Sequence, residues 1–157
     1  MAGTPATVAL TRARIPFTEH HYDHDPRAAS FGREAAEALG LDPAQVFKTL
    51  VVDCGGQLAV GIIPVDKHLD LKAIGAALGV KKVSMAEVAH AERTTGYVAG
   101  GISPVGQRKA LRTVLDASAT EHETIYISGG RRGFDIGLAP ADLVRITRAT
   151  TAAIATR

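Results

Sequence analysis

The sequence predicts an α+β fold in one domain, residues 1–157, and three observations carry that prediction. Apolar runs of strand length come in adjacent pairs joined by glycine turns, the clearest being 47–53 and 57–64 around Gly55-Gly56. Capped helical stretches fall between these hairpins without regular strand–helix alternation, which disfavours a doubly wound sheet. A chain of 157 residues, 46% hydrophobic and 22% charged, can bury one sizeable core and shows neither disorder nor repeats.

Taken in order, Thr4-Pro5 starts a helix that should run to about residue 14, the proline being pre-set for the first turn. Residues 17–24 alternate as a strand does. Ser30 caps a helix over 31–39 that Gly40 stops. Asp42-Pro43 begins a short turn of helix before the first hairpin, and Asp70 caps a helix ending at Gly79. A short strand is expected at 81–83, and Ser84 to Glu87 reads as a capping box for a helix through about Arg93. After a glycine-rich stretch, 96–106, strands are expected at 112–115, 124–128 and 134–138, and a closing helix at 141–148.

Several function classes are disfavoured. The longest apolar runs fall far short of the roughly 20 residues of a spanning helix, so no membrane association is expected. The N-terminal residues lack the layout of a secretory signal, and a lone cysteine, Cys54, forms no internal disulfide, so the expected location is the cytoplasm. A net charge of +2 permits a polyanionic partner without demanding one. With no Trp, four Phe and three Tyr, stacking on many bases is not expected. No DNA partner is indicated.

No Gly-x-Ser-x-Gly elbow, His-Glu-x-x-His, phosphate loop or Cys-x-x-Cys pair is present. His20, Tyr22 and His24 would share one strand face, a weak donor set for zinc, so no metal and no cofactor are expected. Lys48 stands on a strand whose faces are otherwise largely apolar. Such a lysine either snorkels to the strand end or points into a cavity with an anionic ligand. Gly100-Gly101-Ile102-Ser103-Pro104 is either a plain turn or a loop whose amides face an oxyanion. Ser128-Gly129-Gly130 leaves the same choice open, with Arg131 and Arg132 beside it.

In this order the segments resemble the YbaK family of aminoacyl-tRNA deacylases. The likeness rests on Tyr-Asp-His-Asp-Pro at 22–26, Ser-Phe-Gly at 30–32, Leu-Gly-Leu-Asp-Pro-Ala-Gln-Val-Phe-Lys-Thr-Leu at 39–50, Thr-Gly-Tyr-Val-Ala-Gly-Gly-Ile-Ser-Pro-Val-Gly-Gln at 95–107 and Ile-Tyr-Ile-Ser-Gly-Gly-Arg-Arg-Gly-Phe-Asp-Ile at 125–136. It implies a mixed, largely antiparallel, partly barrel-like sheet surrounded by helices. By the same resemblance Lys48 matches the family's essential lysine, and Gly100 to Pro104 its aminoacyl-site loop, with Gly101 and Ile102 as oxyanion amides. Tyr22, Phe31, Thr49, Ser128, Gly129 and Asp135 match positions around that pocket. Phe47 and Arg112 depart from the residues common in relatives, tyrosine and proline.

The resemblance implies trans-editing of cysteine from the acceptor end of mischarged tRNA(Pro), alone or beside prolyl-tRNA synthetase. Near-isosteric side chains differ by only about 1–3 kcal/mol in a pocket, so charging errors of this kind need a second, editing step. The implied chemistry uses the substrate's own thiol, which fits a chain with no standard nucleophile. Two rivals stand: a water-using deacylase for Ala-tRNA(Pro) or another small aminoacyl-tRNA, and a non-catalytic aminoacyl- or nucleotide-binding module.

Overall fold

The computed structural model describes residues 3–28 and 30–156. Helix α1 (Pro5–Arg12) begins where Thr4 accepts a bond from the Thr7 amide, and it stops two residues early, because Arg14 takes a left-handed φ of 58°. Strand β1 (Thr18–His21) is shorter than its alternating pattern. Helix α2 (Phe31–Leu39) has the expected bounds, with Ser30 accepting from the Arg33 amide and Gly40 closing it in a left-handed turn. A 3-10 turn at Pro43–Gln45 leads into β2 (Phe47–Asp53) and its hairpin partner β3 (Leu58–Pro64).

Short β4 (His68–Leu69) precedes α3 (Leu71–Leu78), capped by Asp70. Next come β5 (Ser84–Met85) and α4 (Val88–Thr95). The strand expected at 81–83 and the capping box at 84–87 are therefore both corrected. Met85 pairs with Val52, and the Ala86 amide donates to Val51 O at 3.1 Å, so a cross-sheet ladder claims these residues. The helix starts behind Glu87 without a side-chain cap. Beyond β6 (Arg112–Asp116) lie β7 (Ile125–Arg131), β8 (Phe134–Leu138), α5 (Pro140–Thr147), β9 (Thr150–Ala152) and β10 (Ala155–Thr156).

The strands form a five-stranded sheet, β5-β2-β3-β6-β9, a three-stranded sheet, β1-β8-β7, and a β10-β4 pair. Pairing is antiparallel except where β3, β6 and β9 run parallel, so the expected mixed, largely antiparallel sheet is present without closing into a barrel. β3 is buried on both faces. Val60 and Ile62 pack with Ile125, Ile127 and Ile136 of the other sheet, while Ala59 and Ile63 pack with Ile74 and Leu78 of α3. That two-sided burial explains its unbroken apolar sequence. A parallel bridge between Val46 and Tyr126 ties the start of β2 to β7 and sets the two sheets side by side there.

Candidate active site

Between the Val46 bridge and the β5 pairing at Val52, the outer edge of β2 has no strand partner among the described residues. A cavity of 390 Å³ opens at this stretch. Lys48 and Thr49 of β2 line it, as do Tyr22 after β1, Phe31 of α2, Ser128 of β7 and Asp135 of β8. Gly100 and Ile102 contribute from the loop between α4 and β6. Asp135 is held opposite Ser128 by the β7–β8 register and opposite His20 by β1–β8.

The polar groups here are poorly satisfied by the protein itself. Asp135 is 7% exposed, and among the described residues its carboxyl has no hydrogen-bond or ion-pair partner. Burial pushes its pKa up from 3.8 to about 7. Burial, reinforced by the nearby Asp135 carboxylate, pushes the Tyr22 phenol up to about 12. The Lys48 ammonium has no ion pair among the described residues. Its pKa is lowered, first by desolvation and then by the Arg33 charge, against a smaller opposing pull from Asp66. The Thr49 hydroxyl is fully buried without a hydrogen-bond partner among the described residues. Buried polar groups are rarely left unpaired, so orphans of this kind mark a place for a ligand. Among the described residues Lys48 is the lone cation and Asp135 the lone anion on the cavity wall.

The 96–106 loop is shaped by close approach. Gly100 has a φ of 86°, and a Cβ there would lie 2.9 Å from the Phe31 ring and 2.8 Å from Arg132 Nε, so glycine alone fits without strain. Arg132 Nε donates to Ala99 O at 2.8 Å, and its guanidinium lies 5.0 Å from the Phe31 centroid. One arginine thus pins the loop and the ring together.

Not every residue expected around the pocket reaches it. The Gly101 amide donates to Val98 O at 2.9 Å, which removes it as an oxyanion donor. The amides of Gly100 and Ile102 have no acceptor among the described residues. Ser103 is buried in its own turn, its hydroxyl accepting from the Val105 amide at 3.3 Å, and neither it nor the buried Pro104 lines the cavity. Gly129 is packed so close to Phe134 that a Cβ would lie 2.4 Å from the ring, while its carbonyl accepts from the Thr4 hydroxyl. These positions shape the wall from behind.

Sequence reasoning missed Met85, Ala86 and Val88 on the rim, which reach the cavity only through the β5–β2 pairing. Phe47 lines the cavity as well, whereas Arg112 donates to Leu78 O at 2.8 Å on another part of the sheet. The histidines are occupied elsewhere. His21 stacks on Phe134 at 4.6 Å, His20 meets Tyr126 edge-on at 5.2 Å, and His24 pairs with Glu34 at 2.8 Å. No group of three His, Cys, Asp or Glu side chains suited to a metal ion forms among the described residues. Cys54 lies off the cavity, and burial pushes its thiol up.

The family model for the aminoacyl-tRNA editing domain matches residues 25–146, the span that builds all of this cavity except the Tyr22 side. The chain belongs to that family. This editing domain is also 35% identical over 156 residues to EbsC of Enterococcus faecalis, a protein named for Cys-tRNA(Pro)/Cys-tRNA(Cys) deacylation, covering 98% of this chain and 94% of that one. Among solved structures it is similar to a hypothetical protein with a TM-score of 0.86 and 25% identity, the match covering 97% and 99% of the two chains. It also shares its fold with a protein described as a trans-editing enzyme for prolyl-tRNA synthetase, at a TM-score of 0.82 and 22% identity over 98% and 96% of the chains. No helix among the described residues is long and apolar enough to cross a membrane.

Proposed function

We propose that this editing domain is a trans-acting deacylase that removes cysteine from mischarged tRNA(Pro), working on the acceptor end alone or beside prolyl-tRNA synthetase. The observation that carries the reading is the charge layout of the cavity: among the described residues its wall has one ammonium, one buried carboxyl, an orphan hydroxyl, and neither a cysteine nor a histidine to activate a serine. An aminoacyl ester complements that layout. Its α-ammonium supplies the counter-charge that Asp135 lacks, and its carbonyl oxygen suits Lys48 with the free amides of Gly100 and Ile102. Tyr22 and Phe31 wall the side chain, and Thr49 and Ser128 offer it hydroxyls. The 390 Å³ volume suits a small aminoacyl group joined to a ribose.

With no cysteine and no histidine-activated hydroxyl on the wall among the described residues, the attacking atom belongs to the substrate. The cysteine thiol adds to its own ester carbonyl, the bond to the terminal ribose oxygen breaks, and the thiol proton ends on that oxygen. The products are a cyclic thiolactone and free tRNA. A thiol is a few per cent thiolate at neutral pH and intrinsically nucleophilic, which a hydroxyl is not. The protein contributes positioning, worth several kcal/mol, and stabilisation of the oxyanion.

The test compares Cys-, Ser- and Ala-charged tRNA(Pro). Cysteine should be released at least about 100-fold faster than serine, because the two are nearly the same shape but differ in nucleophilicity. Comparable rates for cysteine and serine would reject thiol assistance and favour a bound water. Preferential release of alanine would move the assignment to the Ala-tRNA(Pro) class, and release of none would leave a binding module.

A further inference from the structure

A second concavity, of 630 Å³, adjoins the cavity and shares Ser30 and Lys48 with it. Its cations among the described residues are Arg33 from the first turn of α2, Lys48 from β2, and Lys67 from the turn after β3. The elements that bear them are firmly set against one another. A Cβ on Gly32 would lie 2.4 Å from Val65 Cγ1, so the start of α2 sits directly on the β3–β4 turn.

Three carboxylates also border this groove, and two of them are committed elsewhere. Glu34 binds His24 at 2.8 Å and the Asp25 amide, and Asp25 takes the Arg27 amide at 2.9 Å. Glu37 remains, one turn beyond Arg33, and Asp66 lies near Lys48. Yet among the described residues Arg33, Lys48 and Lys67 form no ion pair. Arg33 and Lys48 are close enough that the guanidinium lowers the lysine pKa. Two cations that repel one another and make no ion-pair contact are both relieved by one bound anion.

We propose that this groove is a phosphate subsite, in which Arg33 and Lys67 hold the phosphodiester on the 5′ side of the terminal nucleotide. Its aminoacyl ester then lies in the neighbouring cavity, past Lys48. The inference rests on the deacylase reading, since it is that substrate which carries an ester and a phosphodiester within one nucleotide of each other. A planar guanidinium and a flexible ammonium suit a phosphate, and neither residue touches the reacting ester.

The experiment uses the Arg33→Gln/Lys67→Gln double variant, three probes and the unaltered protein as reference. On Cys-tRNA(Pro), kcat/KM should fall about 10- to 100-fold with kcat at saturation unchanged, as loss of charge-assisted contacts implies. Its dependence on log salt should flatten by about 0.7, the share of one single-strand phosphate. On 3′-O-cysteinyladenosine, which has no phosphate, the two proteins should react alike. The uncharged trinucleotide CCA should bind the variant more weakly than the unaltered protein.

Equal losses on both esters, or no change with tRNA and CCA, would overturn the subsite while leaving the deacylase reading intact. Inorganic phosphate binding as tightly as CCA would make this a free-anion site and overturn it too. Conversely, should the unaltered protein cleave no cysteinyl ester while CCA binding still depends on Arg33 and Lys67, the subsite stands and the deacylase reading falls.

Discussion

Replacing Asp135 with asparagine should stabilise the fold at neutral pH while stopping catalysis. The carboxyl is 7% exposed and unpartnered among the described residues, and its pKa rises from 3.8 to about 7 on folding. The folded state therefore holds its proton more tightly than the unfolded chain does. Well below pH 3.8 both states are protonated and the site carries no penalty. Between pH 4 and 7 the unfolded chain releases its proton first, so stability drains away as pH rises, and above 7 the loss is constant. At about 1.36 kcal/mol per tenfold change in acidity, the full penalty is about 4 kcal/mol. Asparagine keeps the shape without the charge but brings an amide that also wants partners, so a gain of about 1–3 kcal/mol at pH 7.5 is expected. Urea unfolding of both proteins at pH 4, 5.5 and 7.5 measures it. The gain should be small at pH 4 and full at 7.5, and cysteine release should fall at least about 100-fold because the α-ammonium has lost its counter-charge. A stability difference that does not change with pH would refute the argument, since it would mean that the carboxyl is solvated or paired.

Three more outcomes follow from the site. Lys48→Ala should lower deacylation by at least about 100-fold while circular dichroism and melting stay near those of the parent, because among the described residues no carboxylate loses an ion-pair partner; Lys48→Arg should also be poor, a wide fork replacing a compact ammonium. A well-folded Lys48→Ala protein with normal turnover would remove the lysine from the chemistry. Cys54→Ser should leave turnover within about twofold, since that thiol is off the cavity and pushed up by burial; a large loss would point to a protein thiol after all. Arg132→Ala should cost about 0.5–1 kcal/mol of local stability and loosen the loop over Phe31, seen as lower kcat with faster exchange of the Gly101 amide that donates to Val98 O, and Arg132→Lys should restore only part of it. Unchanged exchange in the alanine variant would show that the loop holds itself.

What was legible in the sequence is what short-range physics decides. Ser30, Asp70, Gly40 and Gly79 mark helix ends because caps act within three or four residues, and the Gly55-Gly56 turn sets its own hairpin. The anomaly of Lys48 was visible too, as a charge on an apolar strand, though its two explanations separated only through family resemblance and then through its missing partner. Strands β9 and β10 escaped, since each is only two or three residues long and exists by pairing with β6 and β4, far back in the chain. For the same reason Ser84 to Glu87 looked like a cap until the open edge of β2 claimed it. The sequence by itself determined the α+β class, the ends of α2 and α3, and the family. Only the tertiary structure decided that Asp135, Thr49 and Lys48 stand in their cavity without hydrogen-bond or ion-pair partners among the described residues, that Gly101 spends its amide on Val98, and that Gly129 and Ser103 stand behind the wall. Burial and unsatisfied hydrogen bonding are properties of neighbours distant in sequence, and no local pattern encodes them.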